Sequence, residues 1–232
     1  MMIGMDIGYY VVAGVLSLIG MFVSNRLKSK FNHYSRVNIR SGMTGREIAE
    51  AMLRHYNIRD VKIVEGRGFL TDHYNPVSKT VSLSPNVYHG HNIASAAVAA
   101  HECGHAVQHH KSYSMLQVRS ALVPVVSISA RAQQFLLILA FVMLNTMPQI
   151  MLITIIAFAI TALFSFITLP VEFDASRRAL AWLDQSGLTQ GNEHAGAKDA
   201  LWWAAMTYVS AALSALVMLL YLILRYRGAT DR

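Results

Sequence analysis

Cysteine and charge are both scarce in this 232-residue sequence, which has one cysteine, Cys103, and only 14% charged residues. A single cysteine excludes an internal disulfide framework and agrees with a reducing compartment. A typical soluble domain has about 25% charged residues, whereas 54% of this chain is hydrophobic. Because so little charge cannot cover so apolar a core, the composition indicates a membrane protein.

Long hydrophobic runs occur four times, and a helix needs about 20 such residues to cross the hydrocarbon core of a bilayer. We predict spans at residues 7–24, 121–144, 150–169 and 201–224. The 121–144 segment carries Arg131, Gln133 and Gln134, and an arginine at the bilayer centre costs about 2.5–3.5 kcal/mol. This helix therefore either turns Arg131 towards a wet protein interior or begins outside the membrane.

Acidic residues are also few, at 13 against 20 lysines and arginines, which gives a net charge of +7. Thirteen of the 20 basic residues lie between residues 26 and 119, scattered among apolar positions. We interpret this excess as membrane topology rather than nucleic-acid binding, and the positive-inside rule then predicts a cytoplasmic hydrophilic part. Four spans would place Arg225, Arg227 and Arg232 outside, against the same rule. A re-entrant or interfacial 121–144 segment would resolve this conflict.

The hydrophilic part contains a His-Glu-x-x-His segment, His101-Glu102-Cys103-Gly104-His105. Residues four apart on a helix lie on one face, so His101 and His105 can bind the same ion. Zinc accepts two such nitrogens, and Glu102 would lie beside it as a base for bound water. Cys103 is rotated about 200° from His101 and is not expected to be a ligand. The alternative is a polar helix face with two histidines, but the apolar residues 94–100 that precede it favour a buried helix.

Two histidines leave zinc short of the three protein ligands of a catalytic site. Gln108 and Lys111 occupy positions where a metzincin has glycine and a third histidine, so that class is excluded. His109 and His110 are favoured as polar residues at the helix end, because one rigid helix cannot easily wrap three ligands around a tetrahedral ion.

A carboxylate from another helix is the remaining source of a ligand. Glu172 and Asp174 follow the third predicted span directly. They diverge by about 200° on a helix, so only one can ligate. We favour Glu172, while the alternative is that Glu172 only caps the start of a helix.

Local patterns predict a small α+β unit around the histidines. Thr44 and Glu47 have the spacing of a capping box, residues 61–65 and 79–84 are typical of short strands, and the histidine helix is predicted at residues 92–110. We also expect the 79–84 strand to be an edge strand that pairs with an extended substrate. The basic residues 26–40 are predicted to form either an amphipathic turn on the membrane surface or a solvated linker.

Four stretches carry a resemblance to a known family: residues 70–76, 99–108, 169–178 and 207–209. Together they make the chain, over about residues 40–215, resemble the bacterial membrane family of putative neutral zinc metallopeptidases (the YugP-like family). More distantly it is similar to the HtpX and CAAX-prenyl-protease clan of membrane gluzincins. Members of that clan place a His-Glu-x-x-His helix before a membrane hairpin and supply a zinc-binding glutamate after it. The clan often has an aspartate four residues beyond that glutamate, supporting a histidine, where this chain has Ser176, so Asp72 and Asp174 are alternative partners.

We therefore expect a mainly α membrane protein with about four transmembrane helices and a small α+β zincin-like catalytic unit. An N-terminal anchor (1–25), uncleaved because no basic residues precede it, leads into a basic juxtamembrane segment (26–40) and the catalytic unit (41–115). A transmembrane hairpin (116–169), a helix and loop that supply the third zinc ligand (170–200), and a C-terminal transmembrane helix and tail (201–232) follow. The resemblance implies a multi-pass protein of the bacterial inner membrane.

The function hypothesis is a zinc metalloendopeptidase that hydrolyses peptide bonds of protein substrates. Its metal ligands are His101, His105 and Glu172, and Glu102 is the general base for a zinc-activated water. Candidate oxyanion donors are Tyr208, His194, Arg177 and His73. One alternative is a catalytically inactive zinc-binding scaffold or regulator of membrane proteins, and another is a transporter. The bilayer and protein or peptide substrates are the expected partners, and a membrane-protein partner or a homo-oligomer stays open.

Overall fold

The computed structural model describes residues 7–230, and within them the chain is mainly helical with one three-stranded sheet. In chain order the elements are α1 (Ile7–Tyr34), α2 (Gly45–His55), β1 (Lys62–Glu65), β2 (His73–Asn75), β3 (Thr80–Leu83), the short α3 (Pro85–Tyr88), α4 (Ile93–His110), α5 (Ser114–Val142), α6 (Gln149–Gln185) and α7 (Asn192–Thr230). Of the described helices, four are long and apolar enough to cross a membrane: α1, α5, α6 and α7. The predicted fold class is confirmed.

The chain divides into two compact units. The first consists of the residues up to Val23, Val118–Leu169 and the residues from Thr207 onward. It therefore contains most residues of the four predicted spans. Inside it, Gln133 donates through Nε2 to the Ala157 carbonyl and to Thr161 Oγ1, both at 2.8 Å. A polar residue predicted in an apolar helix is thus hydrogen-bonded within the protein rather than left to face hydrocarbon.

Both α5 and α6 contain a proline inside the helix, Pro124 and Pro170. The sequence predicted a span over residues 150–169 and a helix after Pro170. The two are one continuous helix, because α6 runs through Pro170. Proline removes one backbone donor and so leaves the carbonyl of residue 166 without its usual partner, a loss that long apolar helices tolerate.

The second unit consists of Ser24–Gln117 and Pro170–Met206, and it contains the whole sheet. Strand order is β1-β3-β2, with β1 parallel and β2 antiparallel to β3. The expectation that residues 79–84 form an edge strand was therefore wrong: β3 is the middle strand, with Val81 and Leu83 completely buried. The edges are β1 and β2, and β2 was not predicted as a strand.

Helix α2 begins at the predicted capping box, in which the Thr44 side chain accepts from the Glu47 backbone and the Glu47 carboxylate accepts from Thr44. Its apolar face, with Ile48 and Met52 completely buried, packs against the alanine-rich first half of α4. Small side chains let two helices approach closely, so α4 lies at the centre of this unit's core. The capping-box prediction is confirmed.

The C-terminal part of α1 packs into this second unit. Phe31 is buried in its core, and the Tyr34 hydroxyl donates to Asp199 Oδ2 at 2.7 Å. Lys30 Nζ lies 2.7 Å from the same carboxylate oxygen. Phe31 and Tyr34 therefore contact protein, so at these two positions neither alternative for residues 26–40, a turn on the membrane surface or a solvated linker, was right.

Candidate metal centre

Helix α4 places the two motif histidines side by side. It begins after Asn92, whose side chain accepts from the Ser95 backbone at 2.9 Å. The four-residue spacing then places the ring centroids of His101 and His105 4.8 Å apart, at an interplanar angle of 84°. Both rings lie in the interior of the unit, where their polar atoms need partners.

Glu172 on α6 faces both rings. Its Oε2 lies 3.3 Å from His101 Nε2 and 3.5 Å from His105 Nε2, and its side chain is 2% exposed. Ligands about 2.0–2.1 Å from a tetrahedral zinc ion lie about 3.3–3.4 Å from one another. The 3.3 Å separation from His101 equals one edge of such a tetrahedron, and the 3.5 Å separation from His105 exceeds an edge by about 0.1 Å.

Among the described residues, His101, His105 and Glu172 form the one group of three or more His, Cys, Asp or Glu side chains that could hold a metal ion. Their ligand atoms all lie within 4.8 Å of one another. Two imidazoles and a carboxylate are a donor set that zinc accepts in catalytic sites. The residues present thus fit zinc, and their role as its ligands stays a prediction.

The second ring nitrogen of each histidine contacts a polar side chain. His101 Nδ1 lies 3.1 Å from Ser176 Oγ, and His105 Nδ1 lies 3.0 Å from Gln108 Oε1. Such contacts hold the orientation of the ring when a histidine binds a metal through its other nitrogen. In both rings, Nε2 is the atom directed at Glu172.

Glu102 lies between the two histidines in sequence and is 8% exposed. Burial raises the pKa of its carboxyl to about 7, with the nearby Glu172 acting in the same direction and His101 against it. Burial would also raise the pKa of Glu172, but hydrogen bonding and charge from His101 and His105 outweigh it and hold that pKa well below its usual range. The two carboxyls therefore differ strongly in proton affinity, as expected of groups with different roles.

Gly104, in the middle of the motif, lies at a close approach of α4 and α6. A Cβ added there would lie 2.6 Å from the Ala175 carbonyl oxygen and 3.1 Å from its carbonyl carbon. Ala175 is flanked on α6 by Asp174 and Ser176. Only glycine lets the α6 backbone come close enough for its side chains to reach the histidines.

The alternative ligand, Asp174, is oriented differently from Glu172. Its Oδ2 accepts from Gln108 Nε2 at 2.9 Å and from Arg178 Nε at 2.5 Å, and Oδ1 accepts from Arg177. Although burial opposes it, these bonds to Gln108, Arg178 and Arg177 hold the pKa of Asp174 below its usual value. Asp174 therefore supports Gln108 and does not join the metal cluster.

The other suggested histidine partner, Asp72, contacts a different residue. Its carboxylate accepts from the Ser84 backbone at 2.7 Å and from the Ser84 hydroxyl at 3.1 Å. Since the Nδ1 atoms of His101 and His105 face Ser176 and Gln108, neither suggested aspartate supports a histidine directly.

The candidate oxyanion donors have different surroundings. His73 lies on β2, exposed, with its Nδ1 2.9 Å from the Thr71 carbonyl, and it is close enough to Glu102 for its charge to act against the rise in the Glu102 pKa. His194 lies 3.4 Å from Thr189 Oγ1, and Arg177 binds Asp174. Tyr208 belongs to the other unit.

Sequence reasoning missed Gln108 and misjudged what replaces the clan's aspartate. Gln108 was used only to exclude one protease class, although it lies three residues after His105 and so shares its helix face. That spacing was the available signal. Ser176 was noted as a departure, and a serine hydroxyl one helical turn beyond Glu172 was not considered as a histidine partner.

A cavity of about 420 Å³ adjoins this site within the same unit. It lies between α6 and α7, and Ser176, which contacts His101, forms part of its wall. Its apolar lining residues are Phe173, Leu180, Ala181, Leu201, Trp202 and Ala205. Charged and ionisable side chains of Arg177, Asp184, His194 and Lys198 complete it. An apolar cleft with a few polar groups beside a titratable cluster is typical of a ligand site.

Comparison with known proteins gives two matches. A family model described as "Putative neutral zinc metallopeptidase" matches residues 9–227. The chain is also 41% identical over 206 residues to the "Putative membrane protease YugP" of Bacillus subtilis (strain 168), covering 89% of this chain and 91% of that protein. No solved structure matches the chain.

Proposed function

The chain belongs to the family of putative neutral zinc metallopeptidases, and we propose that it is a membrane-bound zinc endopeptidase. The observation that carries this proposal is the convergence of His101, His105 and Glu172, with ligand atoms within 4.8 Å of one another. Structural zinc sites are closed by four protein ligands, whereas three leave a position for water or substrate. A cluster of three therefore favours a catalytic centre over a structural one.

Zinc, when bound, supplies a Lewis acid that polarises a carbonyl group and lowers the pKa of water to about 7. His101 and His105 would hold it through Nε2, with Nδ1–H donating to Ser176 and Gln108. Glu172 would supply the third bond and neutralise one of the two metal charges.

Glu102 is proposed as the general base. It accepts a proton from the attacking water and passes it to the leaving amine, which requires a carboxyl that can hold and release a proton near neutral pH. Burial raises the pKa of Glu102 to about 7, which suits both steps. His73, His194, Arg177 and Tyr208 stay candidates for stabilising the oxyanion.

Substrate recognition is proposed to involve the cavity between α6 and α7. Phe173 in its lining follows Glu172 directly, and Ser176 joins it to His101. Because most of the lining is apolar, we infer that the cavity takes a large apolar side chain of a protein substrate. The excess of basic residues between 26 and 119 supports a cytoplasmic position for this unit, at the inner membrane of a bacterial cell.

The experiment that tests this function is Glu102→Gln in the detergent-solubilised full-length chain. The variant keeps the shape of Glu102 but cannot accept a proton, so peptide cleavage should fall by about 10²–10⁴-fold. Zinc content should stay at that of the wild type, because His101, His105 and Glu172 are intact. Cleavage of casein or a peptide library and metal analysis provide the two readouts.

Two outcomes would contradict the proposal. Retained turnover in Glu102→Gln would remove Glu102 from the mechanism. A wild-type protein that binds zinc but cleaves no substrate would instead favour the zinc-binding scaffold.

A further inference from the structure

Gln108 makes three hydrogen bonds although its side chain is completely buried. Oε1 lies 3.0 Å from His105 Nδ1, and Nε2 lies 2.8 Å from the Val171 carbonyl oxygen and 2.9 Å from Asp174 Oδ2. Three of the four bonds that an amide can form are thus made in the interior. Gln108 thereby links α4 to the part of α6 that carries Glu172.

The chemistry of these partners fixes the direction of every bond. A backbone carbonyl accepts, and the Asp174 carboxylate already accepts from Arg177 and Arg178. The Gln108 group that faces Val171 and Asp174 must therefore be the NH₂, which leaves its carbonyl oxygen for His105. Since that oxygen can only accept, the proton of a neutral His105 ring lies on Nδ1.

We propose that Gln108 is the positioning residue of the metal centre, holding His105 in the tautomer whose Nε2 lone pair points towards Glu172. Asp174 anchors the Gln108 amide and thus acts on His105 indirectly. This inference rests on the proposed zinc site, since a tautomer matters to a ring that must offer a lone pair to a cation.

The two histidines are then supported unequally. His101 has a serine hydroxyl at Nδ1, a neutral group that can either donate or accept and so does not by itself select a tautomer. His105 has an acceptor whose orientation is held by a carboxylate and two arginines. Loss of the Gln108 support should therefore affect metal binding more than loss of the Ser176 contact.

The test is Gln108→Met in the full-length detergent-solubilised protein, with the zinc Kd measured by competition with a chelator. Methionine has a similar length and removes all three bonds, so the Kd should rise by about 10–100-fold. The melting temperature of the metal-free protein should fall modestly, because Asp174 keeps both arginines but the His105 Nδ1–H loses its acceptor in the interior.

Gln133→Met is the matched control, because Gln133 is also an interhelical glutamine with two donor bonds but contacts no metal ligand. The Gln133→Met variant can have a different melting temperature, but its zinc Kd should equal that of the wild type. A Gln108→Met Kd within twofold of the wild type would overturn the inference. So would a Gln108→Met Kd that rises only in proportion to a loss of thermal stability.

Two further measurements keep the inference testable if Gln108→Met does not fold. Asp174→Asn retains an acceptor for Gln108 but loses its charge, so the zinc Kd should rise by only about three- to tenfold. Nitrogen-15 shifts of histidine in the zinc-bound wild type should show the His105 proton on Nδ1, and a proton on Nε2 would overturn the inference. If the wild type bound zinc but did not cleave peptides, the proposed function would fail while these results still decided the role of Gln108.

Discussion

Ser176 Oγ lies 3.1 Å from His101 Nδ1, one helical turn along α6 from Glu172. Residues four apart on a helix share a face, so a single face of α6 supplies both a ligand candidate and a contact to the opposite side of a histidine ring. In the related gluzincin clan an aspartate often occupies this position. Here the other carboxylate of this part of α6, Asp174, contacts Gln108 instead.

Ser176→Ala removes this contact without introducing a larger side chain. We expect the zinc Kd to rise by up to about tenfold, because His101 loses its Nδ1 partner. Ser186→Ala is the control, since the Ser186 hydroxyl donates to the Leu183 carbonyl. An unchanged Kd in Ser176→Ala would mean that the serine does not orient His101.

Glu172→Gln tests the third ligand. The amide keeps the shape of the side chain but loses the negative charge that faces both Nε2 atoms. We therefore expect the zinc Kd to rise by more than about 100-fold, which exceeds the loss of affinity for a residue that only supports a ligand. Glu193→Gln, in the same unit but bonded to the Arg40 backbone, should bind zinc like the wild type. Measurement by chelator competition decides between Glu172 and Asp174: a larger loss in Asp174→Asn than in Glu172→Gln would assign the ligand to Asp174.

The sequence was sufficient for the features that depend on local spacing. Helix α4 was predicted at residues 92–110 and runs from Ile93 to His110. The capping box at Thr44 was also found, because it needs only two residues three positions apart. Glu172 was nominated on other grounds, because it directly follows the third predicted span, and the fold brings it to the histidines.

The features that were missed depend on long-range pairing. Nothing local shows that β3 lies between β1 and β2, since strand order is set by which segments meet in the folded chain. Strand β2 has only three residues, two of them exposed, so its pattern is too short to identify. The contact of Gln108 with Asp174 joins positions 66 residues apart, and no motif spacing predicts it.

Gly104→Ala tests the close approach of α4 and α6. The added Cβ would lie 2.6 Å from the Ala175 carbonyl oxygen, so the backbone of one helix must move. Overpacking of this kind costs about 1–3 kcal/mol in the free energy of unfolding, and it should also weaken zinc binding, because Asp174 and Ser176 flank Ala175. Thermal unfolding of the metal-free protein and the zinc Kd are the two measurements.

Gly228→Ala provides the comparison for Gly104→Ala. Gly228 is in α7, and a Cβ there would have no atom within 4 Å. Its stability should be equal to or slightly above that of the wild type, because alanine is the better helix former. Equal stability and zinc binding in both variants would show that the helices have room to separate at Gly104.

Ala181→Leu tests the cavity between α6 and α7 as a substrate pocket. Ala181 is an exposed lining residue of this cavity of about 420 Å³, so a leucine there fills space without disturbing the core. We expect kcat/KM to fall for peptides with a large apolar residue next to the cleaved bond, by about 10–200-fold relative to peptides with a small residue there. Gain or loss of a methylene contact in an apolar pocket changes kcat/KM by about this factor. The zinc Kd should not change.

Ala195→Leu is the control, because Ala195 is also exposed in this unit but lies outside the cavity, and the variant should keep the wild-type preference between the two peptide classes. If Ala181→Leu cleaves both peptide classes at the wild-type ratio, substrate side chains bind elsewhere.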